Sequence, residues 1–153
     1  MIVTDLQQDA PADREHRINI APSKAAVLGR DSDVILSRIA VVLQGLATLR
    51  GAEWAVDPDG VVYEPDARDW ASVISALTEL GEINAAVMAG AVREHARRDG
   101  TVEDLGHAMG VVRGTAQNRR QKWIGTTENP IGPGQGELWA RTGEGSPGFV
   151  DEA

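Results

Sequence analysis

The sequence predicts a mainly α-helical protein: a helical scaffold with one small β-hairpin, two short helices about a tight turn in the C-terminal half, and disordered N- and C-terminal tails. Three observations predict it. Apolar residues recur at helical spacing over several successive segments. One Asp-Pro-Asp-Gly turn is flanked by β-branched and aromatic residues. Both chain ends are polar or rich in Gly and Pro, without periodicity.

Composition sets the limits. Hydrophobic residues make up 42% of 153, enough for a core, but there are only four Trp, one Tyr and one Phe. The core must therefore be built mainly from Ala, Val, Leu and Ile. The absence of Cys excludes disulfides and thiolate metal sites. The three His show no HxxxH pair, so no metal and no cofactor is expected. No uninterrupted apolar run approaches the roughly 20 residues that span a bilayer. The segment 1–17 lacks the basic-then-apolar order of a signal peptide. The expectation is a cytoplasmic, nucleoid-associated protein with no membrane partner.

The segment 1–30 reads as a flexible arm. It carries Pro11 and Pro22, mixed charges, and only isolated Ile18 and Ile20 among polar neighbours. The segment 31–81 reads as a scaffold and a possible dimerisation region. Within it, 31–50 predicts a helix: Asp31, Ser32 and Asp33 suit its N-terminus and Gly51 its end. Ile35, Ile39, Val42, Leu46 and Leu49 follow spacings of 4, 3, 4 and 3, the pattern of a helix–helix seam. Two heptads fit either a core face or a short dimer interface. Trp54 to Val56 and Val61 to Tyr63, about Asp-Pro-Asp-Gly, predict the hairpin. A lone hairpin is marginal, so it must lean on helices or another chain.

Glu64-Pro65-Asp66 begins a helix to about Leu80, with Trp70, Val73, Ile74, Leu77 and Leu80 on one face and Gly81 as its stop. The region 82–124 then starts with a helix over 82–99, with Gly90 allowing close approach of a neighbour and Gly100 as terminator. The segment 125–153 holds seven Gly and three Pro in 29 residues, and reads as a flexible tail with apolar spots at Leu138-Trp139 and Phe149-Val150.

The segment 101–123 carries the functional signal. Thr101 suits an N-cap, with Asp104 three residues on. Leu105 and Met109 point inward, and Gly106 is small where helices cross. Gly110 permits a sharp turn. Val111 plugs the core, and Ala116 faces the preceding helix. Arg113, Gln117, Asn118 and Gln121 then project outward from a helix over 112–123.

The run L-G-x-x-M-G-V-V-R-G-T-A-Q-N-R-R, beginning at Leu105, resembles the helix-turn-helix superfamily of DNA-binding proteins. Its 110–119 portion is similar to the recognition region of sigma-factor region 4, and the likeness extends over 92–123. It departs from the pattern at Val112, where Ser or Thr often caps the second helix, and at Arg119, which is often apolar. Trp123 supplies apolar mass one turn later.

The resemblance implies a transcriptional regulator that binds double-stranded DNA with this helix in the major groove. Arg113, Thr115, Gln117, Asn118 and Gln121 are the expected base-reading residues, since Arg pairs with guanine and Asn or Gln with adenine. Arg97, Arg98, Arg120 and Lys122 are the expected phosphate contacts. Charge supports the assignment. The net charge is −8, yet 93–123 holds seven basic against four acidic residues, and the remainder eight against 19. A homodimer made by the N-terminal half is expected, because one unit reads few base pairs.

A non-enzymatic adaptor using a trihelical module without DNA is the alternative, with a protein partner engaged through the acidic body or the C-terminal tail. A small-molecule sensor ranks third, without a polar cluster to support it. No catalytic residues are expected. Asp57 with Asp59, and Asp66 with Asp69, fit turn and cap positions. His95 and His107 are 12 apart and suit surface or core roles.

Overall fold

The computed structural model describes residues 3–6 and 16–148. The chain divides into two compact units, 1–37 and 38–153. The fold is mainly α, with six helices among the described residues.

In the first unit, strand β1 (Val3–Leu6) pairs antiparallel with β2 (His16–Asn19), in a register from Val3 opposite Asn19 to Leu6 opposite His16. Helix α1 (Pro22–Leu28) follows, with Pro22 in its first turn, where its fixed φ suits a helix start. These elements correct the flexible-arm reading for the residues they cover; residues 1–2 and 7–15 of that arm lie outside the described residues. Helix α2 (Arg30–Leu49) begins here with Asp31 and Asp33 in its first turn, and continues into the second unit.

In the second unit, α2 ends at Leu49, and Gly51 just beyond it takes φ of 97°. The hairpin is present as β3 (Ala55–Val56) paired with β4 (Val62–Tyr63). Asp57 shapes its turn: one carboxylate oxygen accepts from the Asp59 and Val61 amides, both at 2.9 Å. The hairpin leans on helices, as a lone hairpin must. Trp54 packs against Trp70 with ring centroids 5.8 Å apart, and Gln44 donates to the Trp54 carbonyl at 3.0 Å.

The two helices expected over 64–80 and 82–99 are one helix, α3 (Ala67–Arg97), of 31 residues. Gly81 does not stop it. A glycine in a helix interior costs about 1 kcal/mol relative to Ala, less than breaking and recapping a helix. Strong signals sit instead at the ends. Asp66 accepts from the Arg68 and Asp69 amides, and Asp69 reaches back to the Asp66 amide, completing a capping box. At the other end Asp99, not Gly100, takes the left-handed conformation, with φ of 60°. Gly100 is required for space, because a Cβ there would overlap the His95 ring.

Helix α4 (Val102–Met109) and helix α5 (Arg113–Ile124) follow. The expected tail is then corrected over 125–148. Helix α6 (Gln135–Thr142) packs along α3 with Trp139 and Glu137 buried. Gly136 allows that approach, since a Cβ there would stand 3.4 Å from the Ala86 Cβ and 2.9 Å from the Pro147 carbonyl. Gly90 faces Glu137 from the α3 side, where a Cβ would make only ordinary contact at 3.7 Å. Sparse apolar residues and frequent glycines hid a short docked helix. Phe149-Val150 and the rest of the tail lie outside the described residues.

Two cores result. The larger one joins Val92, Leu105 and Ala116, with Met88, Val102, Met109, Val111, Trp123 and Ile124 around them. The smaller one is thin: Gly45 of α2 against Val73 of α3, with Ala76. Gly45 is the only buried residue of α2, so the Ile35–Leu49 seam is not a core face within the described residues. By length and composition alone α2 is also long and apolar enough to cross a membrane, although Arg38 and Gln44 interrupt its apolar run.

No atom lies within 4 Å of a Cβ placed at Gly81. Gly81→Ala should therefore stabilise the protein by about 1 kcal/mol in denaturant unfolding. A destabilisation would mean that Gly81 ends a helix in the left-handed region.

Candidate nucleic-acid interface

The helix–turn–helix geometry is built from the inside. Thr101 caps α4, its hydroxyl accepting from the Asp104 amide at 3.1 Å. Gly110 ends α4 in the left-handed region, with φ of 67° and ψ of 32°. The Val111 amide then reaches the Gly106 carbonyl at 2.9 Å and the Gly110 amide the His107 carbonyl at 3.2 Å. This pair of bonds closes a helix end and reverses the chain at once. Gly106 is fully constrained: a Cβ there would stand 3.0 Å from the Val111 carbonyl oxygen and 3.6 Å from the Ala116 Cβ. Ala116 is 0% exposed. The inward positions expected at Leu105, Met109, Val111, Ala116 and Trp123 all belong to the core.

Val112 precedes α5 without a side-chain cap and is 74% exposed. A helical turn of 3.6 residues puts Gln117, Gln121 and Asn118 within a span of about 100° opposite Ala116. All three are exposed, as is Arg113 in the first turn. Among the described residues, none of these four side chains makes an intramolecular hydrogen bond or ion pair. Thr115 is half-buried and lies on a flank of that face.

The expected phosphate contacts divide. Arg97 and Arg98 project at the end of α3, with side chains 69% and 81% exposed, each beside Glu94 at 3.0 and 4.0 Å. Lys122 is exposed and shares a groove with Arg119, Asn84, Met88 and Trp123, between α5 and α3. Arg119 is exposed and borders that groove. Arg120 is half-buried, and its guanidinium donates to the Gly100 carbonyl at 3.4 Å. It braces the α3–α4 turn while lining a cleft with Gln117 and Gln121.

Sequence reading missed Arg93. Its guanidinium donates from Nε to Glu137 Oε2 at 2.8 Å, from Nη1 to the Ile131 carbonyl at 2.9 Å, and from Nη2 to the Trp123 carbonyl at 3.2 Å. Glu137 also accepts from Arg141 at 2.9 Å, and Arg141 reaches Glu94 at 2.9 Å. The partners are 44 residues apart, and no local pattern announces such a pair. Burial pushes the Glu137 carboxyl up, but the Arg93 and Arg141 hydrogen bonds outweigh it and hold it below the usual carboxylate range. The Arg141 hydrogen bond is the main cause holding Glu94 low as well.

Asp57 serves the hairpin turn and Asp66 with Asp69 the capping box. Among the described residues no three His, Asp or Glu converge as a metal site. Comparison with protein-family models, curated proteins and solved structures gives no match to this chain.

Glu137 sets a pH dependence. Its lowered folded value means it stabilises the fold above the unfolded value of about 4.3, and that contribution is lost as pH falls through the folded value. Glu137→Gln should cost on the order of 2 kcal/mol at pH 7, since two arginines lose a charged acceptor. Its further loss on acidification to pH 3 should be smaller than that of the wild type. Equal acid losses in urea titrations of both proteins would show that Glu137 is not coupled to folding.

Proposed function

We propose that the protein binds double-stranded DNA sequence-specifically, as a transcriptional regulator, with α5 in the major groove. The observation that carries this reading is the bare polar face of α5. Gln117, Asn118 and Gln121 are exposed opposite the buried Ala116, Arg113 is exposed in the first turn, and none of the four is engaged among the described residues. Such side chains present the donors and acceptors that discriminate base edges. The local excess of positive charge over 93–123 supports it, in a chain of net charge −8. An acidic body disfavours indiscriminate coating of DNA and leaves affinity to the one face that fits.

Val112 supports a second reading. A 74% exposed valine at the start of α5 is an apolar anchor beside a polar face. A protein adaptor would use that combination without DNA. On DNA, the same methyl groups suit contact with thymine.

Selection from a random duplex pool tests the first reading. A recovered motif is expected, and its loss of discrimination in Gln117→Ala/Asn118→Ala should correspond to about 1–3 kcal/mol per lost base contact. Lys122→Ala should weaken all duplexes alike and lower the salt slope by about 1. Arg120→Ala should also lower stability, through the Gly100 bond. A pool that yields no motif, with no salt-dependent binding to any duplex, leaves the adaptor reading.

A further inference from the structure

Helix α2 and the first half of α3 form an antiparallel helical hairpin. Gly45 meets Val73 at one level and Arg38 pairs with Glu79 at another. This hairpin is a single layer. Its contact face holds only the thin core of Gly45, Val73 and Ala76. The apolar mass is elsewhere. Leu43, Leu46 and Leu49 are 57%, 42% and 74% exposed on α2, and Ile74 and Leu77 are 64% and 51% exposed on α3. Helical geometry puts Leu46 about 100° around α2 from Gly45, and Ile74 about 100° around α3 from Val73. The uncovered residues thus lie beside and beyond the line of contact, not in it.

We propose that this face docks on the same face of a second copy, so that two α2–α3 hairpins form an intermolecular four-helix bundle. Stable helical folds bury each apolar stripe against another layer, and the paired hairpin supplies one. The area is sufficient. The five side chains expose on the order of 500 Å² per copy, so their burial alone gives about 1,000 Å² in total, the scale of a specific interface. The pattern suits a copy. Ile39, Val42, Leu46 and Leu49 keep the seam spacing of 3, 4 and 3, and a twofold axis presents the same seam to itself. Charge permits it. Arg38 and Glu79 neutralise each other within each chain, so two identical faces meet without unpaired like charges at these positions. A bilayer would instead have to accept that ion pair and Gln44.

The inference stands on the hairpin alone and needs no DNA, so its test and that of the DNA reading fail separately. Sedimentation equilibrium of the full chain, without DNA and at micromolar concentration, should give twice the chain mass of 16.3 kDa. Leu46→Glu/Ile74→Glu should sediment at the single mass with helical circular dichroism unchanged, because both side chains are exposed in one chain. The milder Leu49→Gln should raise the dimer dissociation constant at least tenfold, and it keeps the test valid if the double variant loses its helix signal. A wild type monomeric over the whole range overturns the proposal, as does an undiminished dimer in a folded double variant or in Leu49→Gln. Co-sedimentation of monomeric wild type with phosphatidylcholine vesicles also overturns it, in favour of a lipid surface.

Discussion

Arg93 is the constraint on which the C-terminal half depends. One guanidinium fixes three things at once: the last turn of α5 through the Trp123 carbonyl, the following loop through the Ile131 carbonyl, and α6 through Glu137. The planar fork of donors suits this, because one rigid group serves several acceptors with little further loss of freedom. Arg141 completes the neutralisation of Glu137 and ties Glu94 to the same network. A buried carboxylate with two arginines is tolerable only as a complete set, so the parts of the network stand or fall together. The end of α5 is thereby held by polar bonds on one side and by the Val92, Leu105 and Ala116 core on the other.

Elements with strong local chemistry were legible in the sequence. The Gly110 turn, the Asp57–Gly60 turn and the inward set from Leu105 to Trp123 follow from residue types whose conformational demands are short-range. Two misreadings have one origin. Gly81 has the local look of a terminator, although a glycine only weakens a helix interior and α3 runs through it as one element. The glycines of 125–148 were read as freedom, although Gly136 serves close approach to Ala86. In both places the meaning of a glycine is set by what packs beside it, which single-sequence spacing does not contain. The Arg93–Glu137 pair is illegible for a stronger reason: its members lie 44 residues apart, and the one local partner, Arg141 four residues after Glu137, looks like an ordinary surface helix pair.

The candidate interface divides similarly. Exposure of Gln117, Asn118 and Gln121 follows from helical phase once Ala116 is placed inward, and Arg113 is exposed in the first turn of α5. Arg120 shares that helix but serves two masters, bracing Gly100 while bordering the same cleft as Gln117 and Gln121. Phase alone did not distinguish it from Lys122, because the Gly100 carbonyl comes from a turn whose position depends on Asp99 adopting positive φ.

The 31-residue length of α3 has a mechanical consequence. Its first half carries Val73 and its second half Val92, about 28 Å apart at 1.5 Å per residue. One unbroken shaft therefore links the thin hairpin layer to the core that seats α5. Gly81 is the point along it with neither side-chain bulk nor a packed neighbour. Bending is easiest there, and a tilt of about 10° would carry the α5 core by roughly 3 Å, a helix-scale displacement produced by a lever rather than by repacking.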